Sequence, residues 1–434
     1  MCPHICCSGW LIRLVVVGGD DGLAGLGAVG WRRLTHAYGA ARDVPGLIRA
    51  LASAKTRERA LWSLYGNIFH QGSRYEATAY AVPFLARLAA DPQVPQRDEI
   101  VLLLAALAIG YDETYLPAGV GIASWRAGVE RARSADPAEV LRQMDAWVEA
   151  ARSEGERRVR EMRRELYDPA STLRSAEYEL GAYDAVRAEL PGLRGLLRDD
   201  DPRVRAAGAY LLGWFPEEAA GSCAALRALL PAETVPGVLA SAIVSAGLLE
   251  DTTLVPQLRA YLSQPGALVR WASAIALARL GQAGPEVLGV LAAVSADPPQ
   301  PEPGPPVSFL DGDLRGYAAQ VLATLASDLP ASVIDAVLEG LAASTQTAAF
   351  PMAAAALHLA FPAGSPDPLP PFAELTPLQQ RVVRTLAGLG QETWRWVNFM
   401  QIMEAWNLPD THGDCRSYAG LSAADDSDAA DHCA

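Results

Sequence analysis

Four stretches of this chain align with one another without gaps, and that repetition restricts the possible folds more than any other feature. They are "VRAAGAYLLGWF" from Val204, "VLASAIVSAGLL" from Val238, "VRWASAIALARL" from Val269 and "LRGYAAQVLATL" from Leu314. The first three begin 34 and 31 residues apart, and the fourth follows 45 residues on, after a proline-rich insert. A period in the thirties signals a stack of two-helix units. In each stretch the apolar or small residues fall at i, i+3, i+7, i+8 and i+11, as in Val269, Ala272, Ala276, Leu277 and Leu280, which is one face of a helix. Ala207, Ser241 and Ala272 at the second of these positions let neighbouring helices approach closely. Between the stretches lie the shorter segments "AALRALL" at 224–230 and "LVPQLRAYL" at 254–262, so each unit reads as an antiparallel helix pair. One pair cannot cover its own apolar stripe, and stability must come from stacking.

At 434 residues the chain exceeds one ordinary core, and repetition removes that difficulty. Half the residues are hydrophobic but only 7% are aromatic, so the buried surface is mostly Ala, Leu and Val, which favours closely spaced helices over a β-sandwich. Asp201-Pro202, Asp91-Pro92 and Asp136-Pro137 each offer an N-cap followed by proline at the first helical position. These features resemble HEAT repeats, particularly the short variety also seen in bilin lyases; the resemblance covers 199–364 well and 43–110 less strictly. The expected fold is all-α, an α-solenoid (superhelix) of HEAT-like antiparallel helix pairs. The resemblance implies a scaffold for binding rather than a reaction.

The first half contains "LYGNIFHQGSRYEATAYAVPFL" between two helix pairs. Gly72 suits a left-handed helix end, Ser73 an N-cap, and Glu76 stands three residues on, which predicts an S-x-x-E capping box. Pro83 is expected to kink the second helix. Asn67, His70 and Gln71 crowd the last turn of the first helix beyond what capping requires. With Tyr75 they are candidate partner-binding residues. Trp271 is another, because it lies off the apolar face of its repeat, where burial against the adjacent repeat is the alternative. This stretch and the C-terminal segment resemble a group of uncharacterised actinobacterial HEAT-repeat proteins.

The remaining organisation is read as follows. Residues 1–30 form a Gly- and Cys-rich leader expected to be disordered, and 31–110 carry the N-terminal helix pairs. An irregular helical insert over 111–198 holds one long charged helix from Asp136 to Tyr167. The array over 199–364 is interrupted by an extended surface loop, 296–313, with six prolines. A C-terminal cap spans 375–420, with a T-x-x-Q capping box at Thr376 and Gln379 and a Trp394, Val397, Met400 stripe, and 421–434 is an acidic tail expected to be disordered.

Several chemistries are weak or missing. "GLGAVG" places Gly25, Gly27 and Gly30 in the G-x-G-x-x-G pattern, but seven residues separate it from the preceding apolar run, whereas a dinucleotide fingerprint sits directly in a strand-to-helix turn. A flexible leader is the expectation. Cys2, His4, Cys6 and Cys7 could hold a soft metal, though a terminal cluster outside any core more often holds none. No metal or cofactor is expected. The six cysteines do not form a disulfide pattern, which fits a reducing cytoplasm. The arginines at 157, 158, 160, 163 and 164 are interleaved with glutamates at helical spacing, Glu154 with Arg158 and Glu156 with Arg160, as in a solvated ion-pair face. Lys55 is the only lysine. No segment has the apolar span of a membrane helix, and no H-E-x-x-H, G-x-S-x-G or P-loop is present.

The functional expectation is a cytoplasmic protein-binding scaffold or adaptor in preference to an enzyme. A net charge of −14 disfavours general binding to nucleic acid or an anionic membrane and favours a basic protein partner on a concave surface. Two alternatives are a nucleic-acid-acting enzyme of the HEAT-like DNA glycosylase type, which this acidity opposes, and a toxin-neutralising, immunity-type protein.

Overall fold

The computed structural model describes residues 23–151, 154–325 and 329–421, and they are almost wholly helical. The two short β-hairpins both stand near the start. The first pairs β1 (Thr35–His36) with β2 (Gly39–Ala40) and runs into α1 (Val44–Leu51) and α2 (Arg57–Asn67). Lys55 is exposed in the turn between α1 and α2. The second hairpin, β3 (Phe69–His70) with β4 (Ser73–Arg74), runs into α3 (Glu76–Ala90), and α4 (Arg97–Ile109) follows. Leader residues from Leu23 onward are ordered, against expectation: Leu26 is buried in the core and accepts the Trp31 indole N–H at 2.8 Å. Residues 1–22, with the cysteine cluster, and 422–434, with the acidic tail, lie outside the described residues.

The insert departs from the single long helix that the sequence suggests. After α5 (Ile122–Ser134), the charged segment divides into α6 (Pro137–Glu149) and α7 (Glu154–Leu166). These pack on each other, with Arg160 over the Trp147 ring at 4.8 Å and Arg164 on Asp145 at 2.6 Å. Gly155, the second residue of α7, is a local sign of the break, and the two helices pack against each other across it. The expected Glu154–Arg158 and Glu156–Arg160 pairs are present. Among the described residues the longest helix is α8 (Pro169–Leu193), capped by Asp168 and packed on α3 and α4.

The four aligned stretches all fold as helices: α9 (Pro202–Leu212), then, after α10 (Ala219–Leu229), α11 (Pro236–Leu248), then, after α12 (Val255–Leu262), α13 (Ala267–Arg279). Following α14 (Pro285–Ala296) comes α15 (Leu314–Ala323), and α16 (Ala331–Ala342) and α17 (Ala349–Ala360) complete the run. Helix α4 packs on α9, α9 on α11, α11 on α13 and α15 on α17, while α14 packs on α16. Small residues other than Ala207, Ser241 and Ala272 sit at two of these contacts, Gly213 against Ser245 and Gly247 against Ala276. A Cβ on Gly213 would stand 2.7 Å from the Ser245 hydroxyl oxygen, and one on Gly247 would stand 2.8 Å from the Ala276 Cα. Counted from each repeat's start, position ten of one stretch meets position eight of the next both times. The Asp201-Pro202 and Asp136-Pro137 starts form as expected, with Asp201 accepting from Arg203 N–H at 2.9 Å. Asp91-Pro92 does not: Asp91 closes α3 and makes a turn to Gln93 N–H, because α4 begins only at Arg97.

The proline-rich insert is a strap rather than a surface loop. Pro305, Val307, Phe309 and Leu310 are buried, and the Pro305 carbonyl lies against Gly237 where a side chain would stand. Phe309 enters an aromatic box with ring centroids at 4.8 Å to Tyr210, 5.5 Å to Trp214 and 6.3 Å to Tyr317. Next to it Leu310 and Asp311 both have positive φ, a left-handed pair without glycine that is costly unless its surroundings hold it. The Leu310 N–H donates to Asp112 at 2.9 Å, and the Tyr210 hydroxyl donates to the same carboxylate oxygen at 3.1 Å.

Burial pushes the Asp112 carboxyl up to about 6, against the two hydrogen bonds and helped by Asp311 and Glu113. An acid whose folded pKa exceeds its unfolded value binds its proton more tightly in the fold, so its contribution to stability grows as pH falls from above 6 towards 4. Asp112→Asn is therefore expected to exceed wild type by up to about 3 kcal/mol at pH 8, with the gap closing by about pH 4. Urea midpoints across that range measure it, and a gap independent of pH would refute the account.

The chain ends with α18 (Pro377–Ala387), α19 (Gln391–Trp394), α20 (Val397–Ala405) and α21 (His412–Tyr418). The T-x-x-Q box forms: the Gln379 amide oxygen accepts from Thr376 N–H at 2.9 Å and the Thr376 hydroxyl from Gln379 N–H at 3.3 Å. The expected stripe does not persist, because the helix breaks after Trp394. Trp394, Phe399 and Met403 are buried, while Val397 is exposed. Among the described residues no helix is long and apolar enough to cross a membrane.

Candidate functional site

The two hairpins lie side by side, and the polar stretch 67–76 is built on them. Registers His36↔Gly39 and His70↔Ser73 leave two-residue turns, Ala37-Tyr38 and Gln71-Gly72. Gln71 and Gly72 both have positive φ, the combination a primed hairpin turn requires. The left-handed position expected at Gly72 is present, but in a hairpin and not at a helix end. Ser73 is consequently a strand residue and not the N-cap. That role falls to Tyr75, whose N–H donates to the Thr78 hydroxyl at 2.9 Å, while Thr78 donates to the Ile68 carbonyl at 2.8 Å. Glu76 turns to the other hairpin and accepts from Thr35 N–H and hydroxyl, each at 3.3 Å.

One carboxylate ties the hairpins together. Asp43 takes His36 Nε2 at 2.9 Å on one oxygen and the Asn67 amide at 2.5 Å on the other. The Tyr38 N–H donates to His36 Nδ1 at 3.0 Å, so that nitrogen carries a lone pair and the proton resides on Nε2, directed at Asp43. Both nitrogens of the buried His36 are thus engaged inside the protein, which suits a structural strut and leaves no ring atom for proton transfer to a substrate. The Asn67 carbonyl also accepts from Ala37 N–H at 3.0 Å.

Above this framework stands an exposed face. Tyr38 is 69% exposed, with its ring edge-on to His70 at 5.4 Å and its hydroxyl 3.4 Å from His70 Nδ1. Gln71 is exposed at the hairpin tip, and Tyr75 is half-buried; burial raises the Tyr75 phenol above its ordinary range, with the Ser73 hydroxyl opposing. On the inner side Arg74 is buried, donates to the Gly72 carbonyl and meets Glu179 at 3.4 Å. Tyr111 packs edge-on to Phe69 at 5.6 Å and fills the space where a Gly72 side chain would lie.

Of the candidates read from sequence, Asn67, His70, Gln71 and Tyr75 therefore share one surface, with Asn67 acting inward as a brace. Trp271 is elsewhere: it is fully buried, its ring lies 5.8 Å from Tyr317 and its indole N–H donates to the Leu314 carbonyl at 3.1 Å. It faces α15, a contact that the apolar stripe of its own helix does not reveal. The sequence reading passed over His36, Tyr38 and Asp43. The signal was the likeness of "HAYG" to "HQGS", each a histidine opening a two-residue turn just before a helix. Among the described residues no group of three or more His, Cys, Asp or Glu is placed to hold a metal ion. No protein-family model matches the chain, and no curated protein matches it significantly.

Proposed function

We propose that the chain is a protein-binding scaffold of the HEAT type, an α-solenoid that engages a basic protein through a surface including the paired hairpins. The observation that carries this reading is Tyr38: a large aromatic ring, 69% exposed, on a turn whose backbone and neighbours are fixed by Asp43, His36 and Asn67. Rigid, exposed tyrosine is a favourable contact residue because it supplies area at small entropic cost. His70 and Gln71 add hydrogen-bonding groups around it. The repeated close contact of α9 with α11 and of α11 with α13 supports the stacked-repeat reading. The net charge of −14 favours encounter with a cationic partner.

The test separates contact from fold. Asn67 braces Asp43 and Gln71 has φ 50°, so alanine at either position would disturb the framework. Tyr38→Ser with His70→Ala leaves it intact. This double variant is expected to stay within about 0.5 kcal/mol of wild-type stability and to lose the partner that tagged wild-type protein retains. A partner held equally by both proteins would remove the hairpins from the interface. Elution independent of salt would remove the electrostatic half of the reading.

A further inference from the structure

Among the described residues a groove lined by four arginines has no acid in its wall. It opens beside the first hairpin, has a volume of about 410 Å³, and is lined by Arg32, Arg33, Arg42 and Arg49 together with Trp31 and Gly27. No aspartate or glutamate lines it. Many arginines elsewhere sit on carboxylates, as Arg97 does on Asp199 at 2.7 Å, Arg126 on Asp184 at 2.6 Å and Arg227 on Asp251 at 2.6 Å, whereas the groove gathers four that do not. Among the described residues none of the four groove arginines makes an ion pair. The acid adjacent in sequence, Asp43, is committed to His36 and Asn67. Arg49 reaches only the Pro45 carbonyl, at 3.3 Å.

The backbone around the groove is arranged for close approach. Gly25, Gly27 and Gly30 flank and occupy a single 3-10 turn, Leu26–Ala28, and the apolar run that precedes them in sequence lies outside the described residues. A Cβ on Gly27 would meet nothing within 4 Å, so that glycine borders open space. A Cβ on Gly30 would stand 3.0 Å from Arg33 Nη2, so a glycine there lets the guanidinium lie across the turn.

Four arginines lining one groove gather like charge there, and an anion bound among them would offset that charge while accepting charge-assisted, bidentate hydrogen bonds. The volume suits a small molecule rather than a polymer. A single phosphate would satisfy only part of this donor set. We propose that the groove binds an oligophosphate anion, with pyrophosphate as the minimal ligand, free or as part of a nucleoside diphosphate.

Calorimetry at constant ionic strength with sodium pyrophosphate, ADP, citrate and a 20-nucleotide single strand tests this on three proteins. These are the full chain, Arg32→Ala/Arg49→Ala, and the control Arg59→Ala/Arg131→Ala, whose two arginines are exposed outside the groove. The expected result is one saturable pyrophosphate per chain, weakened about tenfold or more in the groove variant and unchanged in the control. Tighter ADP than pyrophosphate assigns the nucleotide as source, and equal affinity assigns the inorganic ion. Equal loss in the groove and control variants, or absence of saturation, overturns the site. Citrate binding as tightly as pyrophosphate overturns phosphate recognition, and an oligonucleotide that binds more tightly and displaces pyrophosphate overturns the small-molecule ligand.

Discussion

Gly247→Val is expected to destabilise the chain by about 3 kcal/mol or more, although valine is apolar and the site is buried. The new Cβ would stand 2.8 Å from the Ala276 Cα and Cβ, so the obstruction is the backbone of the next helix, which cannot rotate aside. Relief requires α11 and α13 to separate, and that loosens every contact along both. Gly289→Ala in α14 supplies the contrast. A Cβ there meets nothing within 4 Å, and replacing a mid-helix glycine by alanine should gain about 0.5–1 kcal/mol. Thermal melts of the two variants should thus move in opposite directions. A small loss at Gly247 would mean that the helices are not in backbone contact.

Phe309→Ala is expected to cost about 3–5 kcal/mol, a large figure for a residue in a segment with six prolines. Its ring is fully buried among Tyr210, Trp214 and Tyr317, which belong to α9, the turn after it and α15, so its removal leaves a cavity between repeats. The same change removes the anchor that holds Leu310 and Asp311 in their left-handed conformation. Amide exchange at Leu310, whose N–H is held by Asp112, should therefore accelerate beyond what the overall loss of stability predicts. A loss below about 1 kcal/mol, of the size seen for surface changes, would mean that the strap is a passive connector.

The parts of this fold that could be read from sequence are those governed by period. Val204, Val238, Val269 and Leu314 each open a stretch that folds as a helix, and Thr376 with Gln379 caps as its spacing requires, because both depend on residues within a few turns. The parts that could not be read depend on distant partners. The break between α6 and α7 is spanned by contacts of Arg160 on Trp147 and Arg164 on Asp145. Trp271 is buried by a helix 43 residues further on. Proline content made 296–313 look solvated, whereas Phe309 and Leu310 turn inward. At the candidate site, Asn67, His70, Gln71 and Tyr75 stood out for their polarity between apolar runs. The half of the site from the first hairpin stayed hidden because Asp43 and His36 are ordinary residues until Asn67 is placed beside them.

Lys55, alone among 434 residues and exposed in the turn after α1, makes the molecule addressable at one point. A lysine-specific endoproteinase has a single place to cut, between the helix that follows the first hairpin and the helix that leads into the second. The nicked chain would keep its two pieces associated only through non-covalent contacts, including Asp43 to Asn67 and Ala37 to Asn67. An amine-reactive dye, apart from the terminal α-amino group, would likewise report from that one turn.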